Sequence, residues 1–332
     1  MADRGDLDLF LRGHGLALPG EVAQWEALAG GVSSEIWRVD LPGRRLCVKR
    51  ALPRLKVRDV WEAPVSRNVF EWRWLQFAFQ HEPEAMPRPL AHDPQAGLFA
   101  MEFLEKERYP LWKEQLLGGA VQPAFAGAVG AVLARLHNAS ANRPEVAAQF
   151  DSLGNFRALR LEPYLVATAS RHPVLAPRLL HLAEVTASKA IALVHGDVSP
   201  KNILAGPKGP VLLDAECAWY GDPAFDVAFC LNHLMLKTLV RPDCAPDLHK
   251  SFVAFVDAYF GTARFEARAT LEGRAAALLP GLMLARVDGK SPVEYLVGQA
   301  EAQDAVRRFA ARWLTHAGGA LDELANAWWK TA

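Results

Sequence analysis

One segment, from residue 194 to residue 214, constrains the fold and chemistry of this chain more than any other. A short apolar run ends at Val194, and a tight loop carrying Asp197 follows it. Asn202 stands five residues after Asp197, and a second apolar run leads into Asp214. Asp and Asn favour turns in any loop. This order also suits phosphoryl transfer, in which one carboxylate accepts a hydroxyl proton while an amide and a second carboxylate hold Mg²⁺. The segment therefore predicts a phosphoryl-transfer site.

The loop resembles the catalytic loop of the aminoglycoside phosphotransferase and choline kinase superfamily, which is related to the protein kinases. Residues 195–202 read HGDVSPKN and match that superfamily's pattern, His-Gly-Asp-x-x-Pro-x-Asn. Protein kinases carry an Arg where Gly196 stands, and Asp-Phe-Gly where residues 214–216 read DAE. Both departures favour the branch that acts on small molecules. Residues 221–226 add the Gly-Asp-Pro-x-x-Asp pattern of that branch.

Two shorter segments are similar to methylthioribose kinases. Residues 214–226, DAECAWYGDPAFD, resemble their Asp-Pro-Glu-Phe-Ala-Phe-Tyr-Gly-Pro stretch, and residues 48–53, VKRALP, resemble their Val-Lys-x-Ala-Leu-Pro segment. The pattern of the whole superfamily extends from about Gly30 to about Asp226. Beyond that point the likeness is limited to a helical character.

The resemblance implies an α+β, bilobal, protein-kinase-like fold. Residues 1–104 would form a small antiparallel-sheet N-lobe that binds the nucleotide, and residues 105–332 a larger, mainly helical C-lobe that carries catalysis and substrate binding. Apolar periodicity agrees, since strand patterns dominate the N-terminal third and helical patterns follow residue 225. The predicted strands are 22–28, 35–41, 45–50, 89–92, 98–103, 191–194, 203–204 and 211–213, and the predicted earlier helices are 66–79, capped by Ser66, 123–139, and 161–189 with a break near Pro173.

The resemblance also implies the residues that bind ATP. Lys49 ends a predicted strand where the superfamily places the lysine that contacts the phosphates, and Glu71 lies on the next helix where it places that lysine's partner. Glu71 could instead pair with Arg67, one helical turn away. A loop over the phosphates and a hinge against adenine complete the predicted ATP site, with Gly30, Gly31, Ser33 and Ser34 in the loop and Met101, Glu102 and Phe103 in the hinge.

Asp197 is the predicted catalytic base, and Asn202 and Asp214 are the predicted Mg²⁺ ligands. Similarity to methylthioribose kinases adds Glu216 to this metal set, although it could be a surface carboxylate. Lys201, within the same loop, could contact the transferred phosphate or face water.

Other polar residues are open to a structural or a functional interpretation. We expect His195 to hold the loop through a hydrogen bond, and Asp222 and Asp226 to cap and brace the helix that starts near Pro223. A polar island late in the chain supplies candidates for substrate contact, although a helix end and a solvated turn explain it equally well. These substrate candidates are Arg286, Asp288 and Lys290.

The predicted function is an ATP- and Mg²⁺-dependent kinase that transfers the γ-phosphoryl group to a hydroxyl of a small molecule. A methylthioribose-like sugar, an aminoglycoside and an amino alcohol all remain open as acceptors. A catalytically inactive nucleotide-binding protein of the same fold is the alternative. A protein kinase is disfavoured, because the Asp-Phe-Gly and Ala-Pro-Glu sequences are missing.

The charge and the cysteine content exclude several other classes of protein. Lys plus Arg and Asp plus Glu both number 37, so the basic surplus typical of nucleic-acid-binding proteins is missing. The 4 cysteines show no C-x-x-C spacing, which indicates neither a zinc site nor a disulfide framework. Charged residues near the N-terminus and a proline within the longest late apolar run favour neither a signal peptide nor a membrane span. We therefore expect a cytoplasmic protein without nucleic-acid or membrane partners, and the sequence does not indicate an oligomeric state.

Overall fold

The computed structural model of the chain describes residues 4–28, 33–53, 64–315 and 319–330. The chain divides into two compact units, Met1–Glu105 and Lys106–Ala332. Nucleotide binding by the first and catalysis by the second stay predictions. Within the described ranges, no helix is both long enough and apolar enough to cross a membrane.

The first unit is built on an antiparallel sheet. Its strands are β1 (Gln24–Ala27), β2 (Ser34–Leu41), β3 (Arg44–Ala51), β4 (Pro89–Asp93) and β5 (Leu98–Glu102), and its helices are α1 (Arg4–Gly13), α2 (Arg67–His81) and a 3₁₀ turn (Pro83–Ala85). The strand order is β1-β2-β3-β5-β4, with every neighbouring pair antiparallel. The strands that the sequence predicts for this part of the chain are all present, with small shifts at their ends.

Strand β3 is covered by α1 on one face and by α2 on the other. The alternation of its side chains decides which of them contact which helix. Leu46 and Val48 point into a core that they share with Val39 and helix α1. Cys47 and Lys49 point to the opposite face, where Glu71 of α2 contacts Lys49. Because successive side chains of a strand face opposite ways, the buried apolar residues place the lysine against α2.

The sequence analysis does not predict helix α1. The N-terminal charges serve there only as evidence against a signal peptide. Leu7, Phe10 and Leu11 have the spacing of one helical face, and all three are buried against the sheet. The helix therefore closes the sheet face opposite to Lys49. The spacing is visible in the sequence, but a single short stripe is weak evidence without a surface to pack on.

Replacing Leu11 by Ala is expected to lower the free energy of unfolding by about 2–5 kcal/mol, the usual cost of a cavity in a packed core. Leu11 is 0% exposed, whereas Leu9 of the same helix is 70% exposed. Leu9→Ala is therefore the matched control, and it should change the stability by less than about 0.5 kcal/mol. Urea unfolding measures both. Equal effects of the two substitutions would contradict a stabilising role for the buried face of α1.

Helix α2 begins where the sequence predicts, but its capping differs. Ser66 has φ −56° and ψ −19°, a helical backbone, and its side chain makes no capping hydrogen bond. The prediction that Ser66 caps this helix is wrong, because a capping side chain reaches the first free N–H groups from an extended backbone.

The second unit is mainly helical and carries two small two-stranded sheets. Its α-helices are α3 (Trp112–Gly118), α4 (Pro123–Ser140), α5 (Pro144–Ala147), α6 (Leu153–Phe156), α7 (Ala167–Arg171), α8 (Ala176–Ala187), α9 (Pro223–Lys237), α10 (Ala245–Thr262), α11 (Arg268–Asp288), α12 (Ala300–Thr315) and α13 (Leu321–Trp329). A π-helix (Arg157–Val166) and 3₁₀ turns (Pro200–Asn202, Pro242–Cys244, Glu294–Leu296) accompany them. The strands are β6 (Ala192–Val194), β7 (Ile203–Gly206), β8 (Gly209–Leu212) and β9 (Trp219–Gly221), paired β6 with β9 and β7 with β8.

Small residues let helices α4 and α10 approach closely, as the alanine- and glycine-rich sequence of α4 predicts. A Cβ atom added at Gly130 would lie 2.6 Å from the carbonyl oxygen of Phe255. Any larger residue at that position would push the two helices apart. Helix α4 also packs against β6 and β8, the strands that lead into the candidate site.

The predicted helix over 161–189 is broken at residues 172–175, around Pro173, as the sequence predicts, but its first part is a π-helix. The chain forms the π-helix Arg157–Val166, then α7, and α8 only from Ala176. Pro163 lies inside the π-helix, where its missing N–H and its ring disfavour a regular α-helix. Single π turns occur frequently at functional sites, and this one carries Arg160 and Tyr164 towards the loop after β6.

Candidate active site

A buried ion pair joins strand β3 to helix α2 in the first unit. Lys49 Nζ lies 2.6 Å from Glu71 Oε1, and both side chains are almost fully buried. The structure thus brings together the two residues that the sequence pairs. Glu71 thereby compensates the buried charge of Lys49 and holds the lysine in position.

Arg67 holds the backbone around this pair, a role that the sequence analysis missed. Its guanidinium Nη2 donates to the carbonyl oxygens of Ser33 and Leu52, each at 2.6 Å. Arg67 therefore ties α2 to the start of β2 and the end of β3. Ser34 is buried, and its Oγ has no hydrogen-bond partner within the described ranges. The predicted loop residues Gly30 and Gly31 lie outside the residues that the structure describes.

The predicted hinge residues lie at the end of β5. Met101 pairs with Cys47 of β3, and the strand ends at Glu102, whose side chain is exposed. The N–H of Glu102 donates to the carbonyl of Arg88 at 2.9 Å. Phe103 follows the strand and is half-buried. The guanidinium of Arg38 lies 5.9 Å from the centroid of its ring.

In the second unit, Asp197 is buried in the loop after β6, and its two carboxylate oxygens differ. Oδ2 lies 2.7 Å from Arg160 Nη2 and 3.2 Å from Lys201 Nζ. Oδ1 is buried and has no hydrogen-bond partner within the described part of the chain. One oxygen is thus fixed by two cations, while the other is available to accept a proton from a bound molecule. Lys201, exposed over about half of its side chain (51%), contacts this carboxylate.

The environment of Asp197 keeps the carboxylate ionised. Burial alone raises the pKa of Asp197, because a charge is poorly solvated in the interior. The positive charges of Arg160 and Lys201 outweigh this effect and hold the pKa well below its usual value. The carboxylate therefore remains deprotonated at neutral pH and can act as a base.

His195 and Asp226 hold the loop in place from behind. The N–H of Asp197 donates to His195 Nδ1 at 3.1 Å, and His195 Nε2 lies 3.1 Å from the carbonyl of Leu213. A carbonyl only accepts, so these two bonds fix the neutral tautomer with its proton on Nε2. Burial also lowers the pKa of His195, which favours the same neutral form. The expectation that His195 holds the loop is confirmed.

Asp226 braces the loop rather than its own helix, which corrects the sequence interpretation. Its carboxylate accepts from the backbone N–H groups of His195 and Gly196, both at 2.8 Å. His137 Nε2 lies 3.3 Å from the same carboxylate. Asp222, in contrast, caps α9 as predicted, because its carboxylate accepts from the N–H of Ala224 at 3.0 Å.

Gly196 is required by its surroundings. Its φ of 77° lies in the left-handed region, and an added Cβ would come within 2.7 Å of the carbonyl oxygen of Cys217. This close approach explains why the loop has no side chain where protein kinases carry an arginine.

The predicted metal ligands are two carboxylates and one amide. Asn202 Nδ2 donates to the carbonyl of Asp197 at 3.1 Å, which leaves the amide oxygen as its acceptor group. Asp214 follows β8 and has a φ of 66°, an unusual backbone for a residue with a side chain. Glu216 is buried two residues later. Oxygen donors of this kind suit Mg²⁺, and a strained backbone often marks a functional position. Among the described residues, no three His, Cys, Asp or Glu side chains are grouped to hold a metal.

The structure separates the three predicted substrate residues. Arg286 is buried, and its Nη1 donates to the hydroxyl of Tyr164 at 2.9 Å. Asp288 instead forms an ion pair with Arg307 at 2.7 Å and a hydrogen bond with His172 Nε2 at 2.8 Å. Lys290 is exposed. These contacts give Asp288 a structural role. Of the three predicted substrate residues, Arg286 is the one whose side chain faces the interior.

Arg160 is the main site residue that the sequence analysis missed. Besides its ion pair with Asp197, its Nε donates to the carbonyl of Gly196 at 2.6 Å. It thereby fixes both the carboxylate and the loop backbone. The loop motif gives no sign of it, because it comes from the π-helix 37 positions earlier in the chain.

A family comparison agrees with this geometry. The model of the phosphotransferase enzyme family matches residues 24–267, which include both the Lys49–Glu71 pair and the loop of Asp197. The chain belongs to this phosphotransferase enzyme family. Its membership confirms the predicted superfamily and the prediction that the chain is a small-molecule kinase.

Individual relatives and solved structures agree with the family. A methylthioribose kinase of Enterobacter sp. (strain 638) is 25% identical over 311 residues, covering 80% of this chain and 75% of the relative. An amicoumacin kinase, solved with AMP-PNP, Ca²⁺ and Ami, has a TM-score of 0.55 at 18% identity and covers 93% of each chain. A Plasmodium vivax ethanolamine kinase has a TM-score of 0.55 at 14% identity, covering 92% of this chain and 85% of that one. These structural likenesses confirm the predicted protein-kinase-like fold.

Proposed function

We propose that this phosphotransferase transfers the γ-phosphoryl group of ATP to a hydroxyl of a small molecule, with Asp197 as the base. The observation that carries the proposal is the asymmetry of the Asp197 carboxylate. Arg160 and Lys201 hold Oδ2, whereas Oδ1 is buried without a partner within the described ranges. An ionised carboxylate with one oxygen available is what the deprotonation of a hydroxyl requires.

In the proposed step, the acceptor oxygen forms a bond to the γ-phosphorus of ATP. The bond between that phosphorus and the oxygen bridging to the β-phosphate breaks, and ADP leaves. The proton of the acceptor hydroxyl passes to Asp197 Oδ1. Arg160 and Lys201 keep the carboxylate oriented while its charge changes.

The residues of the first unit supply the proposed ATP contacts. Lys49, positioned by Glu71, would contact the α- and β-phosphates. Gly30, Gly31, Ser33 and Ser34 belong to the loop proposed to cover the phosphates. The backbone of Met101, Glu102 and Phe103 is the proposed adenine contact.

Asn202, Asp214 and Glu216 are the residues proposed to hold Mg²⁺. When bound, this ion neutralises phosphate charge. The chain's own contribution is to orient the donors, and Asn202 does so by donating to the carbonyl of Asp197. The ligand set and the base are therefore coupled through one backbone carbonyl.

The acceptor is a small hydroxylated molecule. The names of the relatives support a sugar such as methylthioribose, while those of the structural neighbours name ethanolamine and amicoumacin. Because these proteins share about a quarter or less of their residues with this chain, the acceptor has to be inferred from the chain's own side chains.

Lys49→Met tests the role assigned to the ion pair. We expect kcat/KM for ATP to fall about 100-fold or more, because the variant loses a charge placed to stabilise phosphate oxygens. Acceptor-dependent ADP release is the assay. Lys250→Met, which removes an exposed lysine of α10, is the matched control and should behave as wild type. Wild-type kinetics for Lys49→Met would contradict the proposed ATP contact.

A further inference from the structure

Four polar side chains of the second unit form a cluster that the proposed phosphoryl transfer does not use. His233 and Lys237 lie one turn apart on α9, Arg286 lies on α11, and Tyr295 lies in the 3₁₀ turn Glu294–Leu296. Lys237 Nζ is 5.0 Å from the centroid of the Tyr295 ring. The charges of Lys237 and Arg286 both act on the His233 ring. We call these four residues the α9–α11 cluster.

Three atoms of the α9–α11 cluster are buried without a hydrogen-bond partner among the described residues. They are His233 Nε2, Arg286 Nε and Tyr295 Oη. His233 is 6% exposed and Arg286 is 7% exposed. Buried polar atoms are nearly always paired in folded proteins. Three unpaired atoms on three neighbouring elements are therefore available to a bound polar molecule.

The cluster is connected to Asp197 within the same unit. Arg286 Nη1 donates to the hydroxyl of Tyr164 at 2.9 Å. The Tyr164 ring lies 5.8 Å from the guanidinium of Arg160, which in turn contacts Asp197 at 2.7 Å. The charge of Asp197 also acts on the ring of His233. A molecule bound to the cluster is thus close to the carboxylate that would deprotonate its hydroxyl.

The cluster carries positive charge that its surroundings do not neutralise. Neither Lys237 nor Arg286 has an ion-pair partner within the described ranges. The nearby carboxylates are engaged elsewhere, Asp197 by Arg160 and Glu294 by Lys113. Burial lowers the pKa of Lys237 to about 7, although the charge of Glu294 opposes this. Lys237 is therefore only partly protonated near pH 7, and a bound anion would favour its charged form beside Arg286.

We propose that the α9–α11 cluster binds the acceptor, and that this acceptor carries an anionic group, a carboxylate or a phosphate, besides the hydroxyl that is phosphorylated. The inference rests on the proposed function, since it names the substrate class of the same site. Arg286 and Lys237 bind the anionic group, and His233 and Tyr295 bind its remaining polar atoms. Cationic acceptors such as aminoglycosides and choline are excluded by like charge.

Calorimetric titration of the whole protein, with a non-hydrolysable ATP analogue present, tests this inference. The probes are D-glycerate, ribose 5-phosphate, methylthioribose and kanamycin, which represent a carboxylate, a phosphate, a neutral sugar and a polycation. We expect glycerate or ribose 5-phosphate to bind, and the one that binds identifies the anionic group. Methylthioribose and kanamycin should bind at least about 30-fold more weakly, the effect of leaving a buried charge without its partner.

Variants of the cluster identify where the anionic probe binds. Lys237→Met and Arg286→Met should each weaken its binding about 30-fold or more. The exposed residues Lys250 and Arg268 supply the matched controls Lys250→Met and Arg268→Met, which should bind as wild type. Among the described residues, Lys237 makes one long hydrogen bond, at 3.5 Å to the carbonyl of His233. Lys237→Met should therefore fold even if Arg286→Met does not.

Several outcomes overturn the inference. They are binding of methylthioribose or kanamycin in preference to both anions, binding of none of the probes, and anion binding that Lys237→Met leaves unchanged. The proposed function is judged separately, by acceptor-dependent ADP release that is lost in Asp197→Asn. An Asp197→Asn variant that binds the anionic probe but releases no ADP supports both proposals.

Discussion

Asp197→Asn is expected to lower kcat by about 100- to 10,000-fold, the range attributed to a positioned general base. The substitution replaces the carboxylate by an amide of the same shape. An amide cannot take up the proton of the acceptor hydroxyl at Oδ1. The acceptor oxygen then has to attack as a neutral hydroxyl, so the barrier to phosphoryl transfer rises.

The expected effect of Asp197→Asn falls on turnover and not on nucleotide binding. Asp197 makes its described contacts with Arg160 and Lys201, not with the proposed ATP residues around Lys49. The dissociation constant for ATP should therefore stay close to that of wild type. Asp257→Asn, on the exposed face of α10, is the matched control and should leave kcat unchanged. A kcat for Asp197→Asn within about tenfold of wild type would contradict the assignment of the base.

Arg160→Met is expected to move the acidic limb of the kcat–pH profile upward by about one pH unit or more. In the wild type, burial raises the pKa of Asp197, and the charges of Arg160 and Lys201 more than reverse that effect. Removing Arg160 leaves burial opposed by fewer charges, so the pKa of Asp197 rises. Protonation then begins at a higher pH, and it removes the base from the reaction.

The same variant should change how stability depends on pH. A carboxylate whose pKa is lowered in the folded state stabilises the fold above its unfolded pKa, near 3.9, and this contribution is lost as the pH falls. Arg160→Met removes much of this contribution at neutral pH, because the remaining carboxylate is buried with less compensation. Thermal unfolding between pH 4 and pH 8 measures the difference.

Arg157 offers a matched control on the same π-helix. Its guanidinium pairs with Glu184 at the surface, so Arg157→Met removes an arginine without touching Asp197. Arg157→Met should keep the wild-type pH profile. If Arg160→Met also keeps it, the ion pair does not set the pKa of Asp197, and the electrostatic account of the base is wrong.

The sequence predicted those parts of the protein that depend on local pattern. The strands of the first unit follow from apolar alternation, and the loop of Asp197 follows from a short motif between two apolar runs. The Lys49–Glu71 pair followed from resemblance alone, because periodicity allowed Glu71 to pair with Arg67 equally well. The structure places Lys49 Nζ 2.6 Å from Glu71 Oε1.

The parts that the sequence did not predict depend on contacts between distant segments. Arg160 reaches Asp197 because Arg157–Val166 forms a π-helix, and single-residue patterns do not distinguish a π turn from an α turn. His233 and Lys237 read as part of an apolar helix. The burial of these two polar side chains follows from the packing of α9 against α11, which the sequence does not show. Arg286 and Asp288 are two residues apart in the chain but face different partners.

Phosphorus NMR of a reaction with ATP, Mg²⁺ and the acceptor is the most direct test of the central claim. The account predicts that the γ-phosphorus signal of ATP is replaced by that of a phosphate monoester on the acceptor, and that Asp197→Asn abolishes this change. Release of the γ-phosphate only as inorganic phosphate, or formation of the same ester by Asp197→Asn at the wild-type rate, would contradict it.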